Sequence, residues 1–176
     1  MEEAVKEVGQ YETKMQNIKT YYQNVNSLID SEINKLNTRN SILERSGDYI
    51  NNHVELTENY KENIENINEK MANTKESIAL MNQVLEEGIA NGTIKVGDQN
   101  WINLKNYISG LEDEFGSLGE SALDSYDKML ELPDKLLTQR LENISNAFKG
   151  FNTLTENNIS SLMERTKLVG YYDEIT

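Results

Sequence analysis

Apolar side chains recur at every seventh residue along most of this 176-residue chain, the spacing at which a helix keeps one stripe buried against its neighbours. Val8, Met15, Tyr22, Ile29, Leu36 and Leu43 form one series, with Ala4, Tyr11, Ile18 and Val25 at the companion positions. The spacing predicts a helix over residues 3–45. Beyond residue 28 the companion series passes into Glu32 and Arg39, while Leu28, Ile33 and Ile42 take over the apolar stripe. Such a shift is expected of a helix that bends or changes partners. A second helix is predicted over 48–87, from Ile50, Thr57, Ile64, Met71, Ile78 and Leu85 in one series and His53, Tyr60, Ile67, Thr74 and Met81 in the other. Glu55, Glu58, Glu62, Glu65, Glu69 and Glu76 fall on the opposite face, which reads as a solvated back rather than a metal cluster.

The interruptions are as informative as the periods. Ser46-Gly47-Asp48 supplies a left-handed stop and an N-cap, which predicts a tight helical hairpin. Residues 88–97 are the non-helical stretch inside the chain: Gly88 closes the second helix, Asn91-Gly92 signals a turn, and Thr93-Ile-Lys-Val96 is β-branched. Asp98 then caps a third helix over 98–131, carrying Trp101, Ile108, Phe115, Ala122 and Met129 beside Leu104, Leu111, Leu118, Ser125 and Leu132. Trp101, with Ile94 and Val96 in the preceding loop, is the candidate for a staple that ties the loop to the bundle or for a protein contact. The single proline, Pro133, suits the first turn of a fourth helix over 133–168, because its missing N–H is unpaired there in any case. A break is therefore expected at Leu132-Pro133, and fraying near Val169-Gly170. The predicted fold is all-α, with long antiparallel helical hairpins forming an elongated coiled-coil-like bundle of three to four helices.

Composition excludes more than any motif does. Thirty acidic against 17 basic residues give a net charge of −13, which opposes direct binding to nucleic acid or to an anionic membrane surface. The absence of cysteine removes disulfides, thiolate metal sites and Cys nucleophiles together. There is no membrane-length apolar run, and Met1-Glu-Glu-Ala-Val lacks the basic and apolar regions of a signal peptide. His53, the only histidine, lies on an apolar helix face, and no spacing brings it a nucleophile or a second ligand. Neither Glu-x-x-His, His-Glu-x-x-His nor a phosphate-loop pattern occurs. Gly110, Gly116 and Gly119 in the third helix read as close helix contact or local looseness, and Tyr21-Tyr22 and Tyr171-Tyr172 as half-buried flanks. No catalytic, cofactor-binding or metal-binding residues are assigned and no cofactor is expected, so the chain is expected not to be an enzyme.

The two ends echo one another. Residues 26–36, Asn-Ser-Leu-Ile-Asp-Ser-Glu-Ile-Asn-Lys-Leu, resemble residues 152–162, Asn-Thr-Leu-Thr-Glu-Asn-Asn-Ile-Ser-Ser-Leu, at an offset of 126. Ser41-Ile-Leu-Glu-Arg-Ser46 resembles Ser161-Leu-Met-Glu-Arg-Thr166 at an offset of 120. The chain is accordingly expected to be a single helical segment, 1–176, of a longer repetitive protein.

The passage from Leu85 to Glu112, Leu-Glu-Glu-Gly-Ile-Ala-Asn-Gly-Thr-Ile-Lys-Val-Gly-Asp-Gln-Asn-Trp followed by an amphipathic run, resembles an element of tail tape measure proteins from long-tailed phages and prophages of Gram-positive bacteria. There a helix ends in a glycine-punctuated loop, a cap and a Trp follow, and an amphipathic helix resumes. Leu43-Glu-Arg-Ser-Gly47 and Met163-Glu-Arg-Thr-Lys167 are similar to junctions of the same family. The resemblance spans about residues 20–176. It implies a structural protein that fills the tail tube and sets its length, made in the host cytoplasm and located in the virion tail lumen. Its implied partners are further copies of itself and tail tube or tail assembly proteins, with no membrane contact from this segment. Other classes stay open: a coiled-coil spacer or protein-interaction domain of a bacterial surface or secreted protein, or a binding module whose recognition tip is the 88–97 loop.

Overall fold

In the computed structural model the backbone is described for residues 2–166 and the side chains for residues 9–151, 153 and 156. Three long helices account for almost all of it: α1, Glu2–Ser46; α2, Tyr49–Ala90; and α3, Gln99–Thr166. At 1.5 Å per residue they are about 68, 63 and 102 Å long. The expectations for Ala4, Val8, Leu154, Leu162, Gly170 and Tyr171-Tyr172 lie outside the described side chains.

The hairpin between α1 and α2 takes two residues. Gly47 adopts φ 66°, a left-handed conformation that costs glycine nothing, and its N–H donates to the Glu44 carbonyl at 3.0 Å. The Asp48 carboxylate accepts from the Asn51 backbone N–H at 3.2 Å and from its side chain at 2.7 Å. Those two bonds hold the Asp48 carboxyl below its ordinary range.

Polar pairs fix the direction and register of packing. Asn59 donates to Asn40, Asn63 to Asn37, Asn73 to Asn26, Lys70 to Asp30 and Lys14 to Glu87, so each pair's residue numbers add to between 99 and 101. Only antiparallel helices in constant register give that result. From α2 to α3 the Ile50 N–H donates to Gln139, Asn63 to Ser125 and Lys70 to Glu114, again antiparallel. Helix α2 lies in the middle, packed along both neighbours, whereas the backbones of α1 and α3 hardly approach one another.

Burial concentrates at the two ends of the α2 seam. Near the 91–98 loop, Met81, Val84, Leu85, Ile94, Leu104 and Ile108 form one cluster, covered by Tyr11, Met15 and Ile18 of α1 and by Trp101 and Tyr107 of α3. Toward the α1–α2 hairpin, Leu56, Tyr60 and Leu132 form a second, with Leu43, Tyr49 and Met129 around it. Packing of an apolar stripe, rather than intrinsic propensity, sustains helices this rich in asparagine.

Three expectations need correction. The break at Leu132-Pro133 is absent: α3 runs unbroken from Gln99 through Pro133 to Thr166, so the predicted third and fourth helices are one element and the described residues hold three helices. The missing N–H leaves the Met129 carbonyl without its intrahelical donor, a defect worth about 3 kcal/mol in a helix interior. Pro133 itself is exposed, while Leu132, 2% exposed, is locked between Leu56 and Tyr60. Packing on α2 holds the helical course across the defect.

The second correction concerns the end of α2, which reaches Ala90 rather than 87, because Gly88 is not a stop. It is the floor under Ile94, whose Cδ1 and Cγ1 lie 2.5 and 2.7 Å from where a Cβ would stand. Third, of the two series expected on α2, Tyr60, Ile67, Thr74 and Met81 are buried, but the line buried beside them is Leu56, Asn63, Lys70, Ser77 and Val84. Ile64, Met71 and Ile78 of the other expected series are half-buried.

Candidate functional site

The sequence singled out the 88–97 loop, and its geometry is built around Ile94. The Ile94 N–H donates to the Gly88 carbonyl at 2.9 Å, and the Thr93 hydroxyl donates to the same oxygen at 3.3 Å. Gly92 and Gly97 take φ of 78° and 88°, which reverse the chain on either side. Asp98 then closes the loop and opens α3 together: Oδ1 accepts from the Trp101 N–H at 2.8 Å and Oδ2 from the Lys95 N–H at 3.0 Å. These backbone bonds, first that of Trp101, hold the Asp98 carboxyl below its usual range. Ile94 is buried in the loop-end cluster and Trp101 is half-buried against it, so both tie the loop to the bundle. Val96 is 70% exposed and takes no part in that staple.

A polar layer that the heptad reading did not anticipate runs along the seam from the second apolar cluster toward the first. Lys70, 9% exposed, bridges Asp30 of α1 at 2.8 Å and Glu114 of α3 at 2.9 Å. Desolvation pulls the ammonium down, but the bonds to Asp30 and Glu114 outweigh it, and its pKa is raised. Asn40 and Asn59 meet at 2.9 Å, and Asn63 reaches both Asn37 and Ser125. The side chain of Tyr60 donates to Glu44 at 2.6 Å. This layer ties three helices by directional bonds, a means of fixing register that an all-apolar seam lacks.

A groove of about 660 Å³ runs beside the layer between α1 and α3, lined by polar groups such as Asn37, Asn40, Glu44, Asp124 and Lys128. His53 bonds through Nδ1 to the Tyr49 and Ile50 carbonyls, 3.0 and 3.1 Å away, within its own helix. Of the six glutamates expected on the back of α2, Glu55 is half-buried and pairs with Arg39 of α1, Glu76 is exposed but bonds the buried Tyr22 of α1, and the other four are exposed. Gly110 and Gly116 have open space where a Cβ would stand, and Gly119 faces Met71. Among the described residues no group of three or more His, Cys, Asp or Glu could hold a metal ion, and no helix is long and apolar enough to cross a membrane.

What remains are apolar faces that the bundle does not cover. On α1, Tyr21, Leu28 and Ile42 are 62–73% exposed. On α3, residues 140–150 are all exposed, because α2 begins at Tyr49, beside Lys135 and Gln139, and does not cover α3 beyond that point. Helix α3 therefore overhangs the hairpin tip by residues 140–166, about 40 Å. Fold and surface together define an elongated three-helix bundle with a projecting helical arm. No family model, curated protein or solved structure matches the chain.

Proposed function

We propose that this chain acts by length and contact rather than by chemistry, as a structural helical segment of a tail tape measure protein that fills the tail tube and sets its length. The observation that carries the structural reading is α3: 68 residues of unbroken helix, about 100 Å, continuing through a proline and past its own bundle. A protein whose product is a distance needs uninterrupted rise per residue, and the flanking helices stiffen it. The tail assignment adds the likeness of the 85–112 junction to that family's helix–loop–Trp–helix element. Under this reading the chain sits in the tail lumen, after synthesis in the host cytoplasm, against further copies of itself and tail tube or assembly proteins. A net charge of −13 suits an occupant that must release the outgoing genome.

The test is an in-frame deletion within the parent gene, read by electron microscopy of the tails. Removing part of α3 shortens tails by about 1.5 Å for each residue removed if the segment stands as helix along the tube. Tails of unchanged length overturn the reading.

A further inference from the structure

Helix α3 is apolar on two opposite sides. One side, carrying Leu118, Ser125 and Leu132, is buried on α2. About 140° around the helix, at 100° per residue, lies a second stripe: Leu123, Tyr126, Leu130, Leu137, Leu141, Ile144 and Phe148, with exposures from 46% to 65%. This outer stripe faces away from α2 and continues along the overhanging arm, so a partner laid on it meets neither of the other helices. Its distal half has the build of a covered seam. Shifted by 126 residues, Leu137, Leu141, Ile144 and Phe148 fall on Tyr11, Met15, Ile18 and Tyr22, which α1 buries or half-buries in the bundle.

We infer that the outer face of α3 is the surface on which a second copy of this chain docks, antiparallel, around a two-fold axis near residues 135–136. Three features select that occupant. The stripe is self-complementary when reversed: Leu123 meets Phe148 of the second copy and Leu130 meets Leu141, each pair adding to 271, while Tyr126 meets Ile144 at 270. Charge runs the same way. Residues 120–135 hold Glu120, Asp124, Asp127, Glu131 and Asp134 against Lys128 and Lys135, whereas residues 136–151 hold Arg140 and Lys149 against Glu142. Antiparallel pairing sets the acidic half against the half with net positive charge; parallel pairing would stack acid on acid. The area suffices as well: the six paired side chains alone, hiding about 100 Å² each, give about 1,200 Å² over the two copies, at the threshold for a specific interface. This surface stands whether or not the chain belongs to a phage tail.

The test uses the full chain, whose lack of cysteine makes engineered thiols unambiguous. Sedimentation equilibrium from 1 to 100 μM is expected to show a dimer, and Leu130→Asp with Leu141→Asp to raise its dissociation constant by at least about 100-fold with helical circular dichroism unchanged. Leu28→Asp, on the outer face of α1, is expected to leave dimerisation unaltered. Mixed Leu130→Cys and Leu141→Cys chains are expected to form the mixed disulfide, with little product from either variant alone. A monomer at 100 μM, dissociation by Leu28→Asp, or disulfides formed equally well by one variant alone would each overturn the inference. If the double variant loses helicity, the cysteine pair decides: a mixed disulfide supports antiparallel docking and its absence refutes it.

Discussion

Gly88→Ala is expected to destabilise the protein, although it replaces the poorest ordinary helix former with the best inside an α-helix. Intrinsic propensity favours the alanine by about 0.5–1 kcal/mol. Against that, the new Cβ would stand 2.5 Å from Ile94 Cδ1, 2.7 Å from Cγ1 and 3.3 Å from Cβ. The clash includes Cγ1 as well as the terminal methyl, so turning that methyl alone does not relieve it, and moving Cγ1 requires a change of χ1 in a β-branched side chain. Ile94 is 1% exposed and its N–H is held on the Gly88 carbonyl, which leaves no slack to absorb a shift. Displacing it costs about 1.5–3 kcal/mol of burial, for a net loss of about 1–2 kcal/mol. Ile94→Ala alone is expected to cost about 2–5 kcal/mol. In the Ile94→Ala background the obstacle is gone, and Gly88→Ala becomes stabilising by its propensity. A double-mutant cycle measured by urea denaturation at 222 nm should therefore give a coupling of about 2 kcal/mol, well above the ~0.5 kcal/mol scatter of independent sites. Additivity within that scatter, or stabilisation by Gly88→Ala alone, would refute the role assigned to Gly88.

Two further outcomes follow from the seam. Burial, then the bond to Glu76, pushes the Tyr22 hydroxyl up to about 12; burial and Glu44 raise Tyr60; and Lys70 is raised despite its desolvation. All three bind their proton more tightly folded than unfolded, so their contribution is complete below about pH 10 and is lost as pH rises through the folded values. Melting temperature should fall progressively above pH 10, less steeply in Tyr22→Phe, and a melting temperature that is flat or rising to pH 12 would contradict this. Pro133→Ala restores a donor to the Met129 carbonyl in a helix already continuous there, and should raise stability by about 1–3 kcal/mol in the same urea assay; no gain would mean that α3 does not run straight through that residue.

Much of the architecture was legible because local chemistry fixed it. Gly47 and Asp48 end one helix and start the next by backbone conformation and capping, which involve only near neighbours. Asp98 caps α3 for the same reason. Of the three residues singled out in the loop region, Ile94 and Trp101 were legible as a staple, whereas Val96 resembles Ile94 in sequence and lies outside it. The difference is a matter of which side chain meets Gly88, six residues earlier on another element. The Lys70 bridge was missed because its partners are 40 and 44 residues away, and nothing in the local sequence marks a lysine as interior.

The sequence by itself determined that the chain is helix, where two of its turns fall, and that each helix has an apolar side. Periodicity records that a side is to be buried, but it carries no information about how many neighbours will bury it. That was decided by the tertiary structure. Placing α2 between two helices turned its most buried line toward Asn63, Lys70 and Ser77: the Asn63 amide nitrogen and the Lys70 ammonium find partners across the bundle, whereas the Ser77 hydroxyl is buried without one. Packing of Leu132 on Leu56 and Tyr60 carried α3 through Pro133, against a local preference for ending it. The same packing stops where α2 begins, so α3 extends past α2 and exposes a stripe that the sequence marked as a seam.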